Sequence, residues 1–151
     1  MSPYYKYKKD SLNLKFNSAK ETLILMQGAI KEYKKTESVY IKRAIIGYFQ
    51  DFSEYIIDMA ETYLVMTDNY IDGCSGIELI KKSNLYGFLD DNLSKFLMAV
   101  IKLRNRYTHD YYKRERVEED ILNYALTKME LLEIFLKISE EKIKLDATHI
   151  E

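Results

Sequence analysis

The chain has few of the residues that interrupt helices or cross-link a protein. Its 151 residues include one proline, one cysteine, five glycines and no tryptophan. Pro3 lies at the start of the chain, so proline chemistry does not oppose helix anywhere from Tyr4 to Glu151. Because Cys74 is the only cysteine, an intramolecular disulfide and a thiolate cluster for a metal ion are both excluded. These absences favour a helical protein without a cysteine-based metal site.

Long hydrophobic runs are also absent. No apolar stretch approaches the roughly 20 residues that a membrane-spanning helix needs. The first nine residues, which include three tyrosines and three lysines, lack the apolar segment of a secretory signal. We therefore expect a cytoplasmic protein with no membrane partner.

The overall charge excludes one simple mode of RNA binding. The formal net charge is −1, whereas proteins that hold long nucleic acids by bulk electrostatics are usually basic. A local patch is present between residues 102 and 116, where six basic and two acidic residues give a net charge of +4. Its basic members are Lys102, Arg104, Arg106, Lys113, Arg114 and Arg116. Any RNA contact is expected to come from this patch; the alternative is a solvated helix end whose cations offset the helix dipole.

The spacing of apolar residues is helical throughout, and no segment has the two-residue period of a strand. The pattern predicts an all-α antiparallel bundle of four long helices plus a short one. The second helix is expected over 37–66, the short one over 77–84, a third long one after a cap at Asp90 or Asp91, and the last over 117–144. We expect a helical domain over 10–144, a flexible N-terminal arm over 1–9 and a C-terminal tail over 145–151.

The chemistry of the chain is concentrated at Arg104 and His109. Arginine grips phosphate through two parallel hydrogen bonds, and histidine, with an unperturbed pKa of about 6.5, carries protons near neutral pH. The second histidine, His149, lies in the charged tail. The pair therefore favours work on a phosphate ester, while the plainer alternative is a helix C-terminal histidine that interacts with free carbonyl groups.

Helix geometry constrains this pair. Five residues at about 100° each place Arg104 and His109 roughly 140° apart on a continuous helix, so we expect the helix to end or bend between them. Metal-independent cleavage of RNA also needs one group to take a proton and another to give one. Because each chain offers one well-placed histidine, we expect a composite site at a symmetric dimer interface, with Arg104 and His109 from each subunit.

The spacing Arg104-x4-His109-x-Tyr111, with Asn105 after the arginine, resembles the RX4HXY motif of HepT-type HEPN toxins. The resemblance extends over about residues 10–144. It implies a HEPN helical bundle that dimerises through the motif region and cleaves RNA without a metal, leaving a 2′,3′-cyclic phosphate and a 5′-hydroxyl. It also implies a nucleotidyltransferase antitoxin of the MNT kind, which transfers AMP to Tyr111. The adjacent Tyr112 leaves open which phenol is modified.

These considerations give one leading hypothesis and two alternatives. The leading hypothesis is a type VII-like toxin that uses Arg104 and His109 for catalysis, with support from Asn105, and that needs neither a cofactor nor a metal ion. Further RNA contacts are expected from Lys102, Arg106, Lys113 and Arg114. One alternative is a non-catalytic binding module that holds nucleotide for a partner nucleotidyltransferase, and the other is a purely structural helical dimer. The acidic run 118–120 is expected to cap the last helix.

Overall fold

Six α-helices make up the described part of the chain. The structure, a computed structural model, describes the backbone of residues 3–109 and 114–147 and the side chains of residues 9–109 and 114–147. The helices are α1 (Pro3–Thr36), α2 (Val39–Met66), α3 (Gly76–Leu85), α4 (Asp91–His109), α5 (Arg114–Thr127) and α6 (Met129–Ile143). Within these residues there is no β-strand, so the prediction of an all-α fold is confirmed.

Polar side chains define where three of the helices begin. The Ser38 hydroxyl accepts hydrogen bonds from backbone amides in the first turn of α2, and the Ser75 hydroxyl accepts one from Glu78 at the start of α3. The Asp90 carboxylate accepts a hydrogen bond of 2.7 Å from the Leu93 amide, which caps α4. Each cap satisfies an amide that has no partner within the helix. The predicted positions of α2 and α3 and the predicted cap of α4 agree with these starts.

Helix α2 lies at the centre of the bundle. It packs along α1 and contacts α3, α4, α5 and α6. The pair α1 and α2 is antiparallel, as shown by the contact of Lys15, in the first half of α1, with Asp58, near the end of α2. Three buried aromatic rings, Phe52, Phe88 and Phe135, meet edge to face at the core. This packing joins α2 to α6 and to the segment before α4, and α2 also contacts α4 directly.

The structure differs from the expected boundaries in three places. Helix α1 begins at Pro3, so the backbone of residues 3–9, which were expected to form an N-terminal arm, is helical. The predicted last helix is two helices, because the chain leaves helical geometry at Lys128 (φ −124°, ψ 17°). The tail begins as packed structure, since Leu145 is 5 % exposed and the Asp146 amide donates to the Asn13 side chain at 2.9 Å.

None of the helices described by the structure combines the length and the apolar character that crossing a bilayer requires.

Candidate nucleic-acid site at the end of helix α4

Helix α4 continues without interruption through both predicted catalytic residues. Arg104 and Asn105 lie in its penultimate turn, and His109 is its last residue. The Thr108 hydroxyl donates to the Arg104 carbonyl at 3.0 Å, within the same helical turn. The expected break between Arg104 and His109 is therefore wrong, and the two Cα positions keep the angular separation of a regular helix.

The arginine side chain is long enough to reduce the angular separation between its guanidinium and His109. The Arg104 guanidinium turns along the helix surface and donates through Nη1 to Asn105 Oδ1 at 3.1 Å. Asn105 and His109 are four residues apart and therefore neighbours on one face of α4. The guanidinium is thus displaced from the Arg104 Cα toward the side of α4 that carries Asn105 and His109.

A carboxylate on α2 holds the other side of the guanidinium. Arg104 Nη2 is paired with Glu54 Oε1, while the arginine side chain remains 29 % exposed. Glu54 and Asn105 together fix the guanidinium at the α2–α4 junction, and its remaining N–H groups can meet an anion from solvent. The arrangement is suited to binding one oxyanion of a phosphate.

His109 is exposed at the C-terminal end of α4. Its imidazole is open to solvent, so it is accessible both to a bound strand and to a second protein chain. The geometry thus agrees with a proton-carrying role and also with the plainer role of a C-terminal capping histidine.

The other predicted RNA contacts lie around this helix end. Lys102 is exposed, and Arg106 pairs with Asp120 of α5 at 3.2 Å. The Arg114 guanidinium stacks 4.8 Å from the centre of the Tyr107 ring. The predictions for Tyr111, Tyr112 and Lys113 lie outside the described residues.

The acidic run has a different role from the predicted one. Helix α5 begins at Arg114, so residues 118–120 lie beyond its first turn. Each acid pairs with a cation from another helix, in the pairs Glu118–Arg43, Glu119–Lys42 and Asp120–Arg106. The hydrogen bond to Glu119 raises the pKa of Lys42. The acids therefore join α5 to α2 and α4, and the prediction of an N-terminal cap for them is wrong.

Sequence reasoning missed Glu54, because it lies fifty positions before the arginine that it holds. No local spacing rule links an exposed carboxylate in one helix to an arginine in another. Among the side chains of residues 9–109 and 114–147, no group of three or more His, Cys, Asp or Glu residues is placed to hold a metal ion.

Known structures share this architecture, although sequence comparisons find no relative. No protein-family model matches the chain, and no curated protein matches its sequence. The crystal structure of a toxin–antitoxin with AMP-PNP contains a chain that superposes with a TM-score of 0.72 at 17 % identity, covering 85 % of this chain and 96 % of that one. A tri-AMPylated Shewanella oneidensis HEPN toxin in complex with its MNT antitoxin gives a TM-score of 0.74 at 18 % identity, covering 86 % and 96 %.

These similarities define the class of fold. The chain has the antiparallel helical-bundle fold of a HEPN toxin, as the resemblance in the sequence predicted.

Proposed function

We propose that the chain is the toxin of a toxin–antitoxin pair and acts as a metal-independent endoribonuclease. The observation that carries this proposal is the position of the Arg104 guanidinium, which Glu54 and Asn105 hold beside the His109 face of α4. A fixed guanidinium can bind the phosphate, and an exposed imidazole on the same side of the helix can transfer protons, so the two groups suit phosphoryl transfer without a metal. The shared fold with a HEPN toxin supports the same function.

In the proposed reaction the RNA supplies its own nucleophile. The 2′-oxygen attacks the adjacent phosphorus and loses its proton to a base, while the bond from phosphorus to the 5′-oxygen breaks and that oxygen gains a proton from an acid. The products are a 2′,3′-cyclic phosphate and a 5′-hydroxyl. Arg104 would neutralise the charge that accumulates on the phosphate oxygens, and His109 would carry protons. Asn105 would support the reaction by orienting the guanidinium.

We further propose that the working enzyme is a homodimer. The reaction needs both an acid and a base, and α4 supplies one histidine at this place. The exposure of His109 supports a shared site, because a second copy could bring its own imidazole to the same phosphate. Mixed dimers of wild-type and His109→Ala chains test this: each holds a single histidine and should lose most of the cleavage, whereas two independent sites would leave about half of the wild-type rate. Cleavage by a strictly monomeric chain would count against the shared site.

The proposed antitoxin is a nucleotidyltransferase of the MNT kind that transfers AMP to Tyr111. The bond that forms joins the tyrosine oxygen to the α-phosphorus of ATP, with pyrophosphate as the leaving group. The added anion would compete with RNA for the cations near the end of α4. The AMPylated HEPN toxin with its MNT antitoxin has the same fold, which supports this mode of control. Both partners would act in the cytoplasm.

The decisive experiment compares the wild-type chain with His109→Ala. We expect wild type to cleave RNA and slow growth when expressed alone, and His109→Ala to lose at least a hundredfold of the cleavage rate, the typical contribution of a proton-transfer group. Circular dichroism should show the same helical content for both chains. Tyr40→Ala, at an exposed position on α2, is a matched control that should keep full activity. If wild type neither cleaves RNA nor slows growth, the chain is instead a binding module for nucleotide.

The proposed modification is tested by intact mass after co-expression with an MNT-type nucleotidyltransferase. Wild type should gain the mass of one or more AMP groups, and Tyr111→Phe should gain none. A mass gain that survives Tyr111→Phe but disappears in Tyr112→Phe would reassign the site to Tyr112. No gain in wild type would remove this mode of control.

A further inference from the structure

A groove between α4 and α5 lies next to the face of α4 that carries His109. Its volume is about 310 Å³, and its lining includes Lys102 and Arg106 from α4 and Asn123 and Tyr124 from α5. Lys102, Arg106 and His109 follow one another at spacings of four and three residues, so they share one helix face. The groove therefore lies on the side of α4 that faces α5, and two of its lining residues share a helix face with His109.

The lining of the groove combines the two features that bind a nucleotide. Ala99 and Leu103 contribute an apolar surface, and the cations at Lys102 and Arg106 stand at its edge. The Tyr124 ring packs on Phe96, with 5.9 Å between the ring centres and 29° between the planes. Phe96 is 9 % exposed, so the tyrosine ring is supported from the core. A supported aromatic ring beside cations is the usual platform for a stacked base with its phosphate.

We propose that this groove is a subsite for one nucleotide of the RNA strand, beside the phosphate that is cut. The base would stack on Tyr124, the phosphate would meet Lys102 and Arg106, and Asn123 could form hydrogen bonds with the base edge. This subsite rests on the proposed function for its orientation to the scissile phosphate. Its volume, at the lower limit of small-molecule pockets, suits a single nucleotide rather than a duplex.

Asp120 limits the occupancy of the subsite. Its carboxylate lines the same groove and pairs with Arg106 at 3.2 Å. An incoming phosphate must compete with this carboxylate for the guanidinium, and the two anions repel each other. The pair thus sets the affinity for the strand, and removal of the carboxylate is expected to tighten binding.

Binding is measured with the full chain carrying His109→Ala, so that the probe is not cut. The probe is a short, fluorescein-labelled single-stranded oligoadenylate, followed by fluorescence anisotropy. Tyr124→Leu should weaken binding by about tenfold, the lower part of the range for one stacked base, and Tyr124→Phe should bind as the parent does. Asp120→Asn should tighten binding several-fold. Tyr86→Leu is the matched control, since Tyr86 is 45 % exposed and lies after α3, outside the groove.

A second probe isolates the stacking. On a ribose-phosphate strand of the same length without bases, Tyr124→Leu should change the affinity by less than twofold. Equal losses with both probes, or a Tyr124→Leu loss no larger than that of Tyr86→Leu, would overturn the subsite. Binding of free AMP as tightly as the strand would show a site for a mononucleotide and would also overturn it.

These outcomes are separate from the failure of the proposed function. If wild type cleaves RNA but Tyr124 contributes nothing to binding, only the subsite is wrong. If wild type cleaves nothing but Tyr124 still distinguishes the two probes, the groove binds a nucleotide of the strand, and the catalytic function is wrong together with the placement of the groove beside a cut phosphate.

Discussion

Charged side chains near the end of α4 are held in pairs that join different helices. Arg104 pairs with Glu54, and Arg106 pairs with Asp120. Such partly exposed ion pairs typically contribute less than about 1 kcal/mol to stability. Their main effect here is to fix where each guanidinium lies. The position of Arg104, rather than the stability of the bundle, should therefore be the property most sensitive to changes at Glu54.

Glu54→Ala should slow RNA cleavage by about tenfold, because the guanidinium loses one of its two fixed contacts and must be ordered during the reaction. Glu54→Gln keeps an oxygen acceptor and should recover part of the rate. The loss should appear in kcat more than in KM, and the melting temperature should change little. Asp51→Ala, an exposed acid on the same helix, is the control. A fall in melting temperature that parallels the lost activity would reduce Glu54 to a structural residue.

Asp58 is a second residue whose environment has a measurable consequence. Burial raises the pKa of its carboxyl, against the opposing effect of Lys15, whose ammonium lies 3.5 Å away. The native state therefore binds this proton more tightly than the unfolded chain does. It follows that this group's contribution to stability is greatest below the unfolded pKa and is lost as pH rises through the folded pKa.

Asp58→Asn should accordingly raise the melting temperature at neutral pH, where the wild-type carboxylate is charged and partly buried. The gain should shrink as the pH is lowered through the titration of the carboxyl, because the wild-type side chain then becomes neutral as well. Thermal unfolding at several pH values measures both effects, with the exposed Asp51→Asn as control. A gain that stays constant with pH would show that burial of the charge is not its cause.

At the scale of the helices, two glycines occupy positions that alanine could fill. Gly28 in α1 and Gly47 in α2 are exposed, and a Cβ built at either position meets nothing within 4 Å. Glycine in a helix interior costs about 1 kcal/mol relative to alanine. The described chain gives no internal reason for either glycine.

Gly28→Ala and Gly47→Ala should each raise the free energy of unfolding by up to about 1 kcal/mol, as measured by urea denaturation. The two substitutions act as controls for each other, because they differ only in the helix that carries them. Gly47 lies on α2 between Arg43 and Glu54, close to the proposed site. Stabilisation at Gly28 together with loss of stability or of dimer at Gly47 would indicate a close contact between copies there, and would contradict the simple propensity argument at that position.

The helices also show which parts of the fold periodicity can reveal. Apolar spacing and caps located α2, α3 and the start of α4, because each depends on residues within one turn. The break at Lys128, between α5 and α6, could not be predicted in this way. Ala125, Met129, Leu132 and Leu136 keep helical spacing across it, so the pattern is the same for one helix as for two.

The candidate site shows that a local sequence pattern does not reveal contacts between different helices. Arg104, Asn105 and His109 could be proposed from the sequence because they are close together in it, and their roles stay predictions. The direction of the Arg104 side chain was not, because it depends on Glu54 in another helix. The angle between two Cα positions does not fix where a long side chain ends. The guanidinium of an arginine can lie on a different face of the helix from its Cα. The dimer and the place of Tyr111 stay predictions.

At the scale of the whole molecule, the segment after α6 is packed against the first half of α1. The Asn17 side chain donates to the Asp146 carbonyl at 3.2 Å, and the Asn13 side chain accepts from the Asp146 amide. Leu145, which precedes Asp146 and follows the end of α6, is almost fully buried. The segment after α6 thus closes the bundle against α1 and stabilises the packing of the first and last helices.

Leu145→Ala should lower the free energy of unfolding by about 2 kcal/mol, the lower end for a buried leucine, because a segment near the chain end can relax into the space left. Leu14→Ala is the matched control: the residue is the same, it lies next to Asn13, and it is 72 % exposed. It should change the unfolding free energy by less than about 0.5 kcal/mol. Urea denaturation followed by circular dichroism measures both. Equal effects at the two positions would mean that the segment does not pack on α1 in solution, and residues 145–147 would then be a free tail.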